Sequence, residues 1–361
     1  MNITIFSLRG PTQNGIRGGA REYIYEIAKG LVKQGNNVNI ICGAEPKHSL
    51  YESEYIDGVN VIRVGRSKWS IFSILMYYFR YLRNNTDIII ENMVSFPMYT
   101  NLFSFTKKHF TIVHHLTDKE YFKTHSIYIS IIGYIMEKVT LRLYFNSKFI
   151  AVSAYTKQML IQNGIKETNI NIVNPGIREK FFEPGIKSQI PEIFYIGRFS
   201  AFGGNKKIDH LIQAFKNISV EIPNAKLYIA GKGDGVEVLE DLSQGYNIKF
   251  LGMINDEEKK KYMQRAWVFA SPSLAEGFGI TWIEAQACGT PVVGYKIEGL
   301  NTVTPVDSIM VNKNDIDGLS RAMISILNNK ESFSKLSENA IQNSKNYSWE
   351  NSISKFISII E

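Results

Sequence analysis

The chain has 361 residues, 44% of them hydrophobic, which is ample for two cores of ordinary domain size. Its longest apolar runs, 70–79 and 126–136, fall short of the roughly 20 residues that cross a bilayer, and no basic-then-apolar secretory signal opens the chain, so a cytoplasmic location is expected. Two cysteines, Cys42 and Cys288, exclude a disulfide framework or a structural zinc site; the net charge of +7 is lopsided, with 23 Lys and Arg against 14 Asp and Glu in residues 1–190, and 18 against 20 in residues 191–361.

In chain order, "NITIFSL" (2–8) reads as a strand, "RGPTQNGIRGGA" as a glycine-rich loop, and 20–35 as a helix with Tyr23, Ile24, Ile27, Leu31 and Val32 on one face. "NVNIICG" is the next strand, which makes a βαβ unit with a parallel sheet. Further strands are predicted at 58–64, 87–92, 110–115 and 147–153, then a helix over "YTKQMLIQNG" and a strand over "NINIVNPG". Residues 178–191 hold two prolines, a glycine and few apolar side chains, and read as a linker. A second α/β series follows: strand 192–199, helix "KIDHLIQAFKNIS", strands "AKLYIAG" and "IKFLG", helix "DEEKKKYMQRA", strand "WVFASPS", helix "ITWIEAQAC", strand "PVVGY" and helix "DIDGLSRAMISILNN". The tail, 348–360, is amphipathic. The fold class is therefore α/β, two doubly wound Rossmann-like domains in tandem, with ligands expected beyond the carboxyl ends of the strands and in the cleft between the domains.

The stretch "SPSLAEGFGITWIEAQACGTPVVG" (271–294) carries the densest chemistry. A glycine turn entering a helix offers free N–H groups and the positive end of the helix dipole to an anion. Gly277 and Gly279 let backbone approach a ligand closely. Glu276 precedes the helix and Glu284 lies about a turn and a half inside it, so both can border one cleft. Two carboxylates would repel a bare phosphate but suit a mixed ligand, with phosphates on the N–H groups and hydroxyls donating to the carboxylates. A nucleotide sugar has both parts; a surface helix with an acidic residue at its dipole is the plain alternative. Arg198 after "FYIG" and Lys206 at the next helix add two cations suited to a diphosphate.

This stretch is similar to the E-x7-E signature of retaining glycosyltransferases of family 4, which have the GT-B fold. The resemblance extends over nearly the whole chain: "GIRGGAREY" looks like that family's first glycine loop, "TIVHHLTD" like its histidine motif, "FYIGRFSAFGGNKKIDHLIQAF" like its Arg/Lys motif, "NIVNPGI…FFEP" like its interdomain segment and "YSWENSISKFISII" like its closing helix. It implies an acceptor-binding domain over 1–180, a nucleotide-sugar domain over 190–345, and a helix 346–361 that crosses back to the first.

By the same resemblance, Arg198 and Lys206 bind the donor phosphates, with Lys207 as the alternative to Lys206. Glu276 accepts from donor-sugar hydroxyls, the amides of Gly277, Phe278, Gly279 and Ile280 hold the sugar and distal phosphate, Glu284 accepts from ribose, and the backbone of Ile254 meets the base. Gly18 and Gly19 form a loop that closes over the diphosphate, and His114, or failing it His115, contacts the sugar or acceptor. The implied reaction is glycosyl transfer with retention, most readily from a UDP-sugar, with no metal and no other cofactor. Another GT-B enzyme, such as a phosphorylase or a UDP-sugar epimerase, a small-molecule glycosyltransferase, and a non-catalytic binding protein are the alternatives.

Two other motifs read differently. Asp315 and Asp317 in "NDIDG" resemble a metal-binding DxD but precede a helix, where capping explains them. "GKGDG" (231–235) departs from the dinucleotide pattern G-x-G-x-x-G. Thr302 stands where the family often has a glutamate. Finally, 66–85 sets Trp69, Phe72, Leu75, Met76, Phe79 and Leu82 in an apolar stripe, with Arg66, Lys68, Arg80 and Arg83 near its ends. That composition suits a helix lying on an anionic membrane, hence a peripheral location at the inner face of the plasma membrane and a lipid-linked acceptor; a core-facing helix and a soluble acceptor stay open. No nucleic-acid module is visible.

Overall fold

The computed structural model describes residues 1–11, 19–44, 52–65, 70–94, 97–104, 107–114, 116, 127–144, 147–199, 204–297 and 300–361. The chain divides into two compact units, Met1–Gly176 with Trp349–Glu361, and Ile177–Ser348. Each is an α/β sandwich around a largely parallel sheet, and no described helix is long and apolar enough to cross a membrane.

The first unit has eight strands: β1 (Asn2–Arg9), β2 (Asn37–Gly43), β3 (Glu52–Ile56), β4 (Val59–Arg63), β5 (Ile88–Met93), β6 (Lys108–Val113), β7 (Lys148–Ala151) and β8 (Ile170–Ile172). They lie in the order β3-β4-β2-β1-β5-β6-β7-β8, all parallel except β3, which is antiparallel to β4. Both faces are covered, so the inner strands are near-continuous apolar runs. Ile3 and Ile5 point to one layer and Phe6 to the other. β3 was not expected from its polar sequence. It exists because Asp57 and Gly58 take φ of 48° and 81°, the left-handed pair of a two-residue hairpin turn.

Helix α1 (Gly19–Lys33) buries Tyr23, Ile24, Ile27 and Leu31. On the opposite layer, α2 (Ser70–Tyr77) runs into a π-helical turn, Tyr78–Leu82, and a 3-10 turn, Arg83–Asn85. The helices α3 (Ile127–Leu143) and α4 (Ala154–Gln162) follow. The last helix of the chain, α11 (Trp349–Ile360), packs on α1, with the Tyr23 and Trp349 rings 5.9 Å apart.

The second unit has six parallel strands: β9 (Glu192–Ile196), β10 (Lys226–Ala230), β11 (Ile248–Gly252), β12 (Val268–Ser271), β13 (Val292–Tyr295) and β14 (Ser308–Val311), ordered β11-β10-β9-β12-β13-β14. Its helices are α5 (Ile208–Glu221), α6 (Val236–Leu242), α7 (Asp256–Arg265), α8 (Ile280–Ala287), α9 (Ile316–Leu327) and α10 (Lys330–Ser344). The proline-bearing stretch 178–191 is not a free tether but a strap on this unit. Phe181 is fully buried, Gly185 N donates to Cys288 O, and Ser188 N donates to Arg265 O at 2.9 Å. Phe181 and Phe182 are the residues that dock, whereas Ile186 is 95% exposed.

Candidate functional site

Strand order reverses between β9 and β12, which pair side by side. The loops leaving their carboxyl ends therefore flank a crevice, the usual ligand position in an open α/β sheet. Here they enclose a cavity of about 380 Å³ within the second unit, lined by Arg198 and Lys206 from one side and by Glu276, Phe278, Gly279, Ile280 and Thr281 from the other.

The Arg198 loop is fixed by its neighbour. Gly197 N donates to Ala230 O and Phe199 N to Lys232 O, at 3.1 and 3.0 Å. Gly231 and Gly233 are glycines because a Cβ at either would collide with the backbone of Gly197 or Phe199. The "GKGDG" segment is thus a packing device for the cationic loop. Lys207 has φ of 46° and stands at the N-cap of α5, while Lys206 forms an ion pair with Glu276. A backbone bond from Leu274 N to Asn205 O, 2.7 Å, ties the two loops together.

Gly279 (φ 78°, ψ 41°) opens α8 in the left-handed region with no side-chain cap and no acidic residue in the first turn. Trp282 N and Ile283 N bond back to Gly279 O. The N–H groups of Ile280 and Thr281 precede any intrahelical partner, and both residues line the cavity. The Tyr195 hydroxyl and Thr302 Oγ1 are buried with no hydrogen-bond partner among the described residues. Tyr195 lines the cavity, and Thr302 Oγ1 would stand 3.5 Å from a Cβ at Gly279. Burial, and then the charge of Glu276, push the Tyr195 hydroxyl well above the usual phenol range, so it stays a donor. Such orphaned polar atoms around an uncapped helix start leave donors and acceptors open to a polar ligand. Tyr195 was missed from sequence because its place in an apolar strand reads as core.

Not every expected residue converges. Glu284 is 2% exposed and does not line the cavity; both its oxygens accept from Lys259 Nζ, at 2.8 and 2.9 Å. Glu284 thus sits a turn deeper in the helix than the cavity wall at Ile280 and is held by a partner 25 residues away. Ile254 packs beside the cluster of Met263 and Phe269 and Gly277 precedes the cavity wall; neither is on the lining. His114 belongs to the first unit, at the end of β6, and Gly19 begins α1. Gly18 and His115 lie outside the described residues. Asp315 accepts from Gly318 N at 2.7 Å as an N-cap, and no group of three or more metal-ligating side chains occurs among the described residues.

Two Rossmann-like units of this kind, the second with a crevice at its switch point, make up the GT-B fold. Two family models then match consecutive stretches: Glycosyltransferase Family 4 over 17–181 and Glycosyl transferases group 1 over 176–345. The chain is a glycosyltransferase.

The chain is 29% identical to the uncharacterized glycosyltransferase MJ1607 of Methanocaldococcus jannaschii, over 93% of its own length and 92% of that protein. It is 31% identical to MJ1178 of the same organism over 57% of its length; that match spans only 56%, about half, of the relative. Among solved structures, a sucrose-phosphate synthase from Thermosynechococcus elongatus superposes with a TM-score of 0.79 at 20% identity, covering 99% and 98% of the two chains. Anabaena Alr3699/HepE in complex with UDP and glucose does so at 0.76 and 18%, covering 100% and 99%.

Proposed function

We propose that this chain is a retaining glycosyltransferase that moves a sugar from a UDP-sugar to an acceptor hydroxyl, in the synthesis of a cell-surface polysaccharide, glycolipid or other glycoconjugate. The observation that carries the reading is the convergence of Arg198, Lys206 and the open N-terminus of α8 on one cavity. These are the charges a departing nucleoside diphosphate requires. The UDP and glucose held by the structurally similar HepE favour UDP as the carrier.

In the scheme, the acceptor oxygen bonds to the anomeric carbon on the face the diphosphate leaves, and the carbon–oxygen bond to phosphate breaks. The acceptor proton passes to a leaving-group oxygen. Lys206 and Arg198 hold the developing charge without a metal, Glu276 accepts from sugar hydroxyls, and Glu284 accepts from ribose. His114 contacts sugar or acceptor. Removing one such charge-stabilising donor costs on the order of 10²–10³ in rate. The acceptor is proposed to be lipid-linked, with the protein peripheral on the cytoplasmic membrane face through 66–85.

A thermal-shift screen of UDP-, GDP-, ADP- and dTDP-sugars tests the donor. A UDP-sugar should give the largest shift, and Glu284→Ala and Arg198→Ala should each shrink it. A flat response to every nucleotide rejects the assignment.

A further inference from the structure

Helix α7 opens with the charged run Asp256–Lys261, which reads as a solvated face. Glu257, Glu258 and Lys261 are indeed exposed, yet Lys259 is buried. It shares the helix's inward stripe with Met263, four residues on, where an apolar residue would ordinarily stand. Its Nζ reaches both oxygens of Glu284, lies 3.7 Å from Asp256 Oδ1, and stands 4.6 Å over the Phe181 ring. A buried ion pair of this kind is a poor route to stability, because taking two charges from water costs about as much as their attraction returns. Two apolar side chains would serve the core equally well. The pair calls for another reason.

Carboxylate geometry supplies one. Glu284 has about four lone-pair sites and spends one per oxygen on Lys259, leaving acceptor capacity for two donors. It lies four residues beyond Ile280, about 6 Å along the helix from the anion-binding end. That is the placement of a sugar hydroxyl pair joined to a phosphate. Without Lys259 the carboxylate would lose its buried partner and be free to rotate.

We propose that Lys259 is a positioning residue: it clamps Glu284 as a fixed acceptor for the two vicinal hydroxyls of the donor ribose, and so sets the preference for ribo- over 2′-deoxyribonucleotides. This rests on the donor reading above.

The test is calorimetric titration with UDP, GDP and ADP, and then with the 2′-deoxy form of whichever binds tightest. The wild type should favour the ribonucleotide by about tenfold or more, the worth of a charge-assisted hydrogen bond. Lys259→Met should weaken the ribonucleotide about tenfold and the deoxynucleotide by no more than about threefold, so the ratio approaches one. Lys259→Arg, which keeps the charge and can fork onto both oxygens, should recover most of the ratio. If Lys259→Met does not fold, Lys259→Gln replaces it.

A folded Lys259→Met or Lys259→Gln protein with the wild-type ratio overturns the proposal, leaving Lys259 a purely structural residue. So does a wild type that binds the ribonucleotide tightly and does not discriminate. A wild type that binds none of the three nucleotides is a different failure, visible before any variant is made: it removes the donor reading itself and this inference with it.

Discussion

His114 ends β6 with Nε2 2.7 Å from Asn92 Oδ1, and Asn92 Nδ2 donates onward to Ser7 Oγ at 3.1 Å. Because the amide nitrogen is committed to Ser7, Oδ1 is the acceptor, so Nε2 carries the imidazole proton and Nδ1 keeps its lone pair. Burial pushes the His114 pKa down to about 4, and that of His109 likewise, so both rings are neutral at pH 7. A neutral His114 offers an acceptor, which suits contact with a hydroxyl better than with a phosphate. The same shift has a stability consequence. The unfolded chain binds protons at each histidine near pH 6.5, while the folded chain resists until about pH 4. Their contribution is therefore full above about pH 6.5 and is lost as pH falls toward 4, on the order of 3 kcal/mol for each ring. Thermal unfolding of wild type and of the His109→Gln/His114→Asn double variant at pH 7.5 and 4.5 measures it. The wild type should lose distinctly more of its midpoint on acidification, and equal losses would remove the claim. At this scale the sequence was legible in residue type and blind in pairing. Arg198, Lys206 and Glu276 could be named, but only the fold shows that Lys206 lines the cavity while Lys207 stands in the left-handed region at the N-cap of α5.

Among the elements, α1 and the closing helix α11 meet where α1 has no side chain. A Cβ on Gly30 would run into the Ile353 side chain, so the glycine permits the close crossing. Glycine within a helix ordinarily costs about 1 kcal/mol relative to alanine. Gly30→Ala therefore sets a propensity gain against a clash, and overpacking of about 1–3 kcal/mol should win. In an Ile353→Ala background the clash is gone, and the same substitution should turn neutral or stabilising. Urea denaturation of the four proteins reads this change of sign; Gly30→Ala stabilising in both backgrounds would show that the helices simply move apart. Elements with one apolar face, such as α1, α5 and α11, were legible because their periodicity is set by the same burial that holds them. β3 was not, since its strand state comes from the Asp57–Gly58 turn and pairing with β4. Nor was the docking of 178–191, where prolines and glycine advertise a tether while Phe181 anchors it. "GKGDG" shows the same limit: its glycines answer to a neighbouring backbone that no local pattern reveals.

For the whole molecule, charge and exposed apolar surface coincide in the first unit. Residues 1–190 carry the positive excess. Within them, 70–85 turns Ser70, Ile74 and Tyr78 inward and leaves Phe72, Met76, Phe79 and Tyr81 between 42% and 63% exposed. Leu75 and Leu82 of the expected stripe are half-buried, and 66–69, with Trp69, Arg66 and Lys68, lies outside the described residues. An element that buries a serine and exposes a phenylalanine is poorly accounted for by water on its outer side. Arg80 and Arg83 flank the exposed rings, the guanidinium of Arg83 lying 5.7 Å from the Phe79 ring centroid. Apolar rings that enter the headgroup region beside cations that pair with lipid phosphates are the two components of interfacial binding, each basic residue adding about 1 kcal/mol on an anionic surface. Sedimentation with vesicles of phosphatidylglycerol and phosphatidylcholine should therefore pull the protein down at low salt, less at high salt, and hardly at all with phosphatidylcholine alone. Arg80→Glu/Arg83→Glu should abolish the salt-sensitive part. Phe72→Ser/Met76→Ser should weaken what persists at high salt, since it removes apolar insertion and leaves the charge. Binding that ignores both pairs, or no binding to anionic vesicles at all, would detach the acceptor from the membrane and favour a soluble one.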